Sequence, residues 1–179
     1  MPSQSGPVEA RGLPGPLSAL LLPAACHAPL YPTPMKIILR NVLAVIAGFV
    51  LGSIVNMSLV TAGTHVFALP PGVDMNDMNT LKSSAHLMQP KNFVFPFLAH
   101  ALGTLSGALT AHLIAASHRP VFAYIIGVLT LAGGIAASFM IPAPTWFIAL
   151  DLLVAYIPMA WLASKLGRTL RPDRAAVTA

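Results

Sequence analysis

The sequence predicts an all-α integral membrane protein, a four-helix transmembrane bundle with a short amphipathic helix in the first outer loop. Four apolar stretches predict the spans, because hydrocarbon about 30 Å thick needs roughly 20 helical residues to cross it. Only 8% of the 179 residues are charged, against about 25% in soluble proteins. These charges are too few to cover a water-facing surface, so lipid must cover much of it. The predicted spans are residues 42–62, 93–117, 121–141 and 145–164.

Residues 1–34 differ from the rest, because they hold eight of the seventeen prolines. Pro14, Pro16 and Pro23 interrupt the one apolar run there, so that run cannot form a continuous helix. We expect a Pro-rich disordered segment, upstream of the start if translation begins at Met35. The alternative is a secretory signal, with residues 24–28 as its cleavage region. Residues 35–170 are predicted to form the membrane domain.

Basic residues fall on one side of the predicted bundle. With the N-terminus in the cytoplasm, eight Lys and Arg residues lie inside and two lie outside, as the positive-inside effect favours. The sequence thus predicts a multi-pass membrane protein with both termini cytoplasmic and a basic cytoplasmic tail at 171–179. The inner residues are Arg11, Lys36, Arg40, Arg119, Lys165, Arg168, Arg171 and Arg174, and the outer ones are Lys82 and Lys91.

Small residues recur every four positions in three of the predicted spans. Lipid is as apolar as leucine, so helices in a membrane associate through close backbone approach, which small side chains permit. We therefore expect a closely packed bundle. The same faces could also contact a second copy of the chain or another membrane protein. They consist of Ala44, Gly48 and Gly52; Ala99, Gly103, Gly107 and Ala111; and Thr130, Gly134 and Ser138.

The outer loop, residues 63–92, is long for a link between neighbouring helices, and such loops usually have structure or function of their own. Its apolar residues recur at spacings of three and four, which is typical of one face of a helix. Asp74 is the expected N-cap. The face consists of Met75, Met78, Leu81, Ala85 and Met88.

A copper(I) site is the alternative interpretation of this loop. Thioether and imidazole groups suit copper(I), and the loop brings His65 and His86 near the methionines at 75, 78 and 88. Methionine at helical spacing more often packs than binds a metal. We therefore predict no metal site.

Three ionisable side chains lie inside the predicted spans, where such groups are functional candidates by default. They are His100, His112 and Asp151. At a rise of 1.5 Å per residue, His100, Asp151 and the amide of Asn56 all lie about 9 to 10 Å below the outer end of their helices. We predict that His100 and Asp151 pair, with Asn56 nearby.

The predicted cluster of Asn56, His100 and Asp151 has two interpretations. It either holds the helices together through interhelical hydrogen bonds or forms a proton relay or ligand site. Pro158 frees the carbonyl of Val154 and should kink the fourth helix one turn away, so a cavity could form there. His112 is expected to reach interfacial water near the inner end.

The sequence lacks the common signatures of cofactor and nucleophile sites. No Walker A loop, GxGxxG, GxSxG or HExxH string occurs, so neither a nucleotide nor a serine nucleophile or zinc site is indicated. The basic residues form no stripe with interleaved aromatics, which argues against nucleic acid. We predict no cofactor and no nucleic-acid partner, and the lipid bilayer as the one certain partner.

Three strings of the sequence resemble those of small uncharacterised bacterial inner-membrane proteins with four helices. They are PPGVD at 70–74, PFLAHALGT at 96–104 and IPAPTWFIALD at 141–151. The resemblance covers residues 35–170 and leaves out the Pro-rich start. It implies a location and a fold, and no activity.

Three functions remain open from the sequence. The leading expectation is a non-enzymatic accessory or partner-binding membrane subunit. The alternative is a small transporter or proton-coupled carrier that uses the Asp/His pair, which would require a water-accessible cavity reaching Asp151 from the outer face. The third is an enzyme acting on lipid or quinone with His100 as base, which would require a cleft open sideways to the bilayer.

Overall fold

The structure is a computed structural model that describes residues 33–74 and 77–172. The described residues form helices and no strand, as predicted. Four spans are long and apolar enough to cross a membrane, so the chain is a multi-pass membrane protein. The helices are α1 Pro34–Val66, α2 Met78–Ser84, α3 Val94–Ile114, α4 Arg119–Met140, α5 Thr145–Val154 and α6 Ile157–Leu170, with 3₁₀ turns at Ala85–Leu87 and Pro90–Phe93.

Some predictions fall on parts of the chain that the structure does not describe. The disordered or secretory segment lies almost wholly within 1–32, and most of the basic tail lies within 173–179. Met75, a member of the predicted apolar face and of the alternative copper site, also lies outside the described residues.

The bundle has two ends, which we name by the segments found there. The loop end carries residues 67–93 and the link 141–144, and the termini end carries the start of α1, the link 115–118 and the end of α6. α1 begins at Pro34 rather than at the predicted residue 42. Its early polar turns belong to the bundle, because Arg40 donates a 2.7 Å hydrogen bond to the carbonyl of Ile114 and Asn41 accepts one of 2.8 Å from the amide of Ala116.

α1 and α3 pack backbone to backbone through the predicted small-residue faces. A Cβ added at Gly48 would lie 2.6 Å from the carbonyl oxygen of Gly107, and one at Gly52 would lie 2.8 Å from that of Gly103. No side chain fits between the helices at these positions, and dispersion contacts between the two backbones replace it. Within this chain, the small faces of α1 and α3 are therefore occupied by each other.

The centre of the bundle is filled mainly by alanine. α3, α4 and α6 meet there, and their buried side chains are small enough for the helices to approach closely. The fully buried members of this core are Ala108, Ala111, Ala123, Ile126, Ala160 and Ala163.

The short helix α2 was predicted with the wrong N-cap. The helix begins at Met78, and Asp77 caps it by accepting a 2.9 Å hydrogen bond from the amide of Asn79. Asp74 instead meets Thr80 through its backbone amide and carbonyl groups, each 3.1 Å from the hydroxyl. Gly72, whose φ is +83°, lies in a turn closed by a hydrogen bond from the amide of Val73 to the carbonyl of Pro70. Leu81 on α2 is buried, so this face packs on the bundle.

The fourth span is divided by a break at residues 155 and 156, between α5 and α6. Pro158 lies in the first turn of α6. It has no N–H to donate to the carbonyl of Val154, which ends the regular hydrogen-bond pattern of the first segment. The predicted distortion near Pro158 is thus present as a break in the helix.

Candidate polar site

His100 and Asp151 lie next to each other at the loop-end half of the bundle. α3 supplies His100 and α5 supplies Asp151. The Nδ1 atom of His100 lies 2.9 Å from Oδ1 and 2.8 Å from Oδ2 of Asp151. The side chain of Asp151 is only 6% exposed, whereas that of His100 is 24% exposed. The carboxyl group is thus enclosed by protein, and the imidazole has one side open.

Tyr156 completes the site, and the sequence analysis missed it. Its hydroxyl donates a 2.8 Å hydrogen bond to Oδ2 of Asp151, and its ring lies 5.7 Å from that of His100. In a continuous helix, a residue five positions after Asp151 would point to a different face. The break at 155 and 156 turns Tyr156 back toward the carboxyl group.

Gly134 on α4 provides the space for Tyr156. A Cβ added at Gly134 would collide with the Tyr156 hydroxyl and ring. Gly134 lies at the depth of the predicted pair and faces a span that contains a proline. In the sequence, this combination was the sign that a large side chain could pack against the glycine. On its own, Gly134 stands out in the sequence only as a member of the small-residue face of its span.

A cavity of about 210 Å³ extends from the loop end to the pair. His100 and Asp151 line it, and they are the titratable groups among its described walls. Its other walls are largely apolar and aromatic. Leu81 on α2, Met88 between the two 3₁₀ turns and Phe93 at the end of the second turn are among them. We name it the loop-end cavity.

A second space of about 310 Å³ lies on the other side of His100, between α1, α3 and α4. We name it the lateral groove. Asn56 lines this groove together with His100 and Tyr156, but no hydrogen bond joins Asn56 to His100 or Asp151. Of the three predicted residues, His100 and Asp151 are therefore hydrogen-bonded to each other and Asn56 lies across the groove. The third residue that bonds directly to this pair is Tyr156.

His112 lies elsewhere and differs from its expectation. It was expected to reach interfacial water, but it is 1% exposed. Gly167 on α6 lies against its ring, so closely that an added Cβ would overlap it. The absence of a side chain at Gly167 lets α6 cover the histidine. His112 is therefore part of the packing between α3 and α6 and is remote from the pair.

The geometry gives the imidazole a defined orientation. When the carboxyl group is ionised it can only accept, so Nδ1–H donates to Asp151 and the lone pair of the neutral ring is on Nε2. No described residue hydrogen-bonds to Nε2. A base held by a carboxylate, with its second nitrogen open, can take up a proton or bind a polar ligand.

The chain matches no protein-family model, no curated protein and no solved structure. The resemblance to small bacterial inner-membrane proteins therefore remains a prediction. The function must be inferred from the geometry of the site itself.

Proposed function

We propose that this protein is a small proton-coupled carrier in which the His100–Asp151 pair binds the coupled proton. The observation that carries the proposal is the loop-end cavity, which extends from residues 67–93 to Asp151. A carrier that uses this pair requires such a cavity, because water must be able to reach Asp151. A pair that only clamps two helices has no need of one.

The arrangement around His100 supports the same function. Its side chain forms part of the wall of both the loop-end cavity and the lateral groove. The imidazole can therefore be approached from two separate spaces, as a group that meets both a proton and a cargo requires. Broken helices are common at transporter sites, and the break at 155 and 156 adjoins the pair.

We further propose that the protein lies in the bacterial inner membrane with both termini in the cytoplasm. The termini end carries six Lys and Arg residues within the described chain, and the loop end carries Lys82 and Lys91 against Asp74 and Asp77. This asymmetry favours a cytoplasmic termini end. The loop-end cavity would then open toward the outer face. The six residues are Lys36, Arg40, Arg119, Lys165, Arg168 and Arg171.

Proton binding by the pair is the decisive test. Infrared difference spectra of the protein in lipid vesicles, recorded between acidic and neutral buffer, report the protonation of imidazole and carboxyl groups. We expect a pH-dependent signal from the pair that disappears in both Asp151→Asn and His100→Gln. Asp74→Asn, which changes a loop carboxyl group, is the control and should retain it.

Transport is tested in the same vesicles with a pH-sensitive dye inside. Acids, amines, amides and alcohols, each with short and long chains, are added in turn, and at least one class should evoke a pH change that Asp151→Asn abolishes and Asp74→Asn keeps. A pair that does not titrate would contradict the proposal and support the accessory-subunit interpretation. A titrating pair with no evoked flux for any class would also contradict carriage.

A further inference from the structure

We propose that the lateral groove binds an uncharged lipid that carries a hydroxyl group, such as a long-chain or isoprenoid alcohol, reaching it sideways from the bilayer. This inference rests on the proposed carrier function and names the class of its cargo. It concerns the side of His100 that faces away from the loop-end cavity.

The groove opens at the depth of the acyl chains. Its rim includes Ser53 and Met57 on α1 and Gly133 on α4, all of which are exposed. These residues lie in the interior of apolar spans, so the exposed surface there faces hydrocarbon. A molecule dissolved in the bilayer can therefore reach the groove without crossing a headgroup layer.

The groove is polar inside although it opens to lipid. Asn56, His100, Thr104, Thr130 and Tyr156 all line it. The side chain of Asn56 hydrogen-bonds to no described residue, and a polar group that faces hydrocarbon without a partner is costly. A polar ligand group would therefore stabilise this lining. The described lining includes no Lys, Arg, Asp or Glu, which favours an uncharged ligand.

The hydrogen bonds already made in the groove select a hydroxyl group. Thr104 donates to Thr130 at 3.1 Å, Thr130 donates to the carbonyl of Ile126 at 2.9 Å, and Tyr156 donates to Asp151. The hydrogens of these three hydroxyl groups are already used in hydrogen bonds, while their oxygens keep lone pairs that can accept another one. With Nδ1–H on Asp151, Nε2 of His100 also accepts. A ligand that donates a hydrogen bond therefore fits these acceptors. The amide of Asn56 can in turn donate a hydrogen bond to the ligand's hydroxyl oxygen.

Protonation of the pair would change this selection. The titratable groups that face the site are His100 on α3, Asp151 on α5 and Tyr156 after the break, while the described groove lining from α1 and α4 contributes none. A protonated imidazole donates from both nitrogens. Nε2 would then donate to the ligand oxygen, so the groove would bind a hydrogen-bond acceptor such as an ether as well as an alcohol.

The size of the groove suits a headgroup and the start of a chain. Its 310 Å³ is about ten times the volume that one water occupies in the liquid, roughly 30 Å³. It lies near the lower limit of ligand pockets, about 300 Å³. The remaining chain of a long alcohol would stay among the acyl chains outside the rim.

The test is photo-crosslinking in lipid nanodiscs with a diazirine-bearing farnesol, with competition by farnesol or by its methyl ether. We expect labelling of α1 or α4 beside the groove and competition about tenfold weaker for the ether, which cannot donate a hydrogen bond. The advantage of the alcohol over the ether should also shrink on acidification in the wild type and persist in Asp151→Asn.

Matched variants locate the site. A Cβ at Gly133 meets no atom within 4 Å, so Gly133→Leu should fill the groove, remain folded and lose the labelling. Ser53→Leu blocks the opposite rim and should do the same. Ala136→Leu is the control, because Ala136 is exposed on α4 but lines neither cavity.

Equal labelling of the wild type and both groove-filling variants would overturn the inference, as would equal competition by alcohol and ether. If labelling of the groove fails this test but a proton flux is still evoked, the carrier function stands and its cargo binds in the loop-end cavity instead. Labelling of the groove in a protein whose pair does not titrate would instead overturn the carrier and leave the groove as a binding site for the alcohol.

Discussion

At the scale of single residues, Asp151 is the group around which the site is arranged. Its two oxygens meet an imidazole from α3 and a phenol from its own span. A carboxylate in hydrocarbon is costly unless it is hydrogen-bonded or takes up a proton. The two partners make burial of this group possible, and one of them, Tyr156, reaches it from the break in the fourth span.

Tyr156→Phe should destabilise the protein slightly without leaving a void beside Gly134. The variant removes one hydrogen bond to Asp151 and keeps the ring that fills the space beside Gly134. We expect the free energy of unfolding to fall by about 1 kcal/mol, the usual value for a polar contact inside a membrane bundle. Thermal unfolding in detergent measures this change.

Tyr124→Phe is the matched control for that prediction. The hydroxyl of Tyr124 makes no hydrogen bond to any described residue, although its ring packs against the alanine core. Its removal should leave the unfolding temperature nearly unchanged. Equal effects of the two substitutions would mean that the bond between Tyr156 and Asp151 contributes nothing to stability.

At the scale of helices, glycine has two different roles here. Gly48 and Gly107 bring two backbones together, whereas Gly134 receives a side chain. The four-residue spacing of small residues predicted a close approach, and α1 and α3 make it. The stripe on α4 resembled the other two in sequence, but there Thr130 bonds to Thr104 and Gly134 faces Tyr156.

Gly48→Ala should force α1 and α3 apart. Its added Cβ would lie 2.6 Å from a carbonyl oxygen and 3.0 Å from the Cβ of Ala111, and backbone cannot yield as a flexible side chain can. We expect destabilisation of about 1 to 3 kcal/mol, as for overpacked cores. The unfolding temperature in detergent is the measurement.

Gly133→Ala is the control for this helix contact, since its Cβ meets open space. Alanine favours a helix over glycine by up to about 1 kcal/mol, so this variant should be as stable as the wild type or more so. If both alanine variants unfolded at the same temperature, the close approach of α1 and α3 would be unimportant to stability.

At the scale of the whole molecule, the basic residues of the termini end also hold the bundle together. Arg40 and Arg171 donate to carbonyls at the end of α3, at Ile114, Leu113 and Ala115. Helix C-termini carry partial negative charge and unsatisfied carbonyls, which cations stabilise. The residues that were expected only to orient the chain thus also tie α1 and α6 to α3.

The proposed orientation predicts which sites a membrane-impermeant maleimide can reach. In a Cys26→Ser background, which removes the one cysteine, Asn79→Cys places a thiol on α2 and Thr169→Cys places one near the end of α6. Both positions are exposed. We expect Asn79→Cys to react in intact cells and Thr169→Cys to react only after permeabilisation. The reverse pattern would contradict cytoplasmic termini.

The amino-acid pattern determined the parts of this protein that depend on transfer from water to lipid. Span number and approximate bounds follow from apolar length, because a charged residue is costly in hydrocarbon wherever the helix packs. The depth of His100 and Asp151 followed from helical rise alone, since both helices cross the same layer. That common depth was enough to predict their contact.

Only the tertiary structure decided what surrounds the pair. Tyr156 reaches Asp151 because the break at 155 and 156 changes its direction, and the angle of a break depends on the neighbours that surround it rather than on Pro158 alone. The two cavities on either side of His100 exist because helices with bare glycine faces pack closely in one place and leave space in another. Such spaces depend on contacts between residues far apart in the chain, which no local pattern encodes.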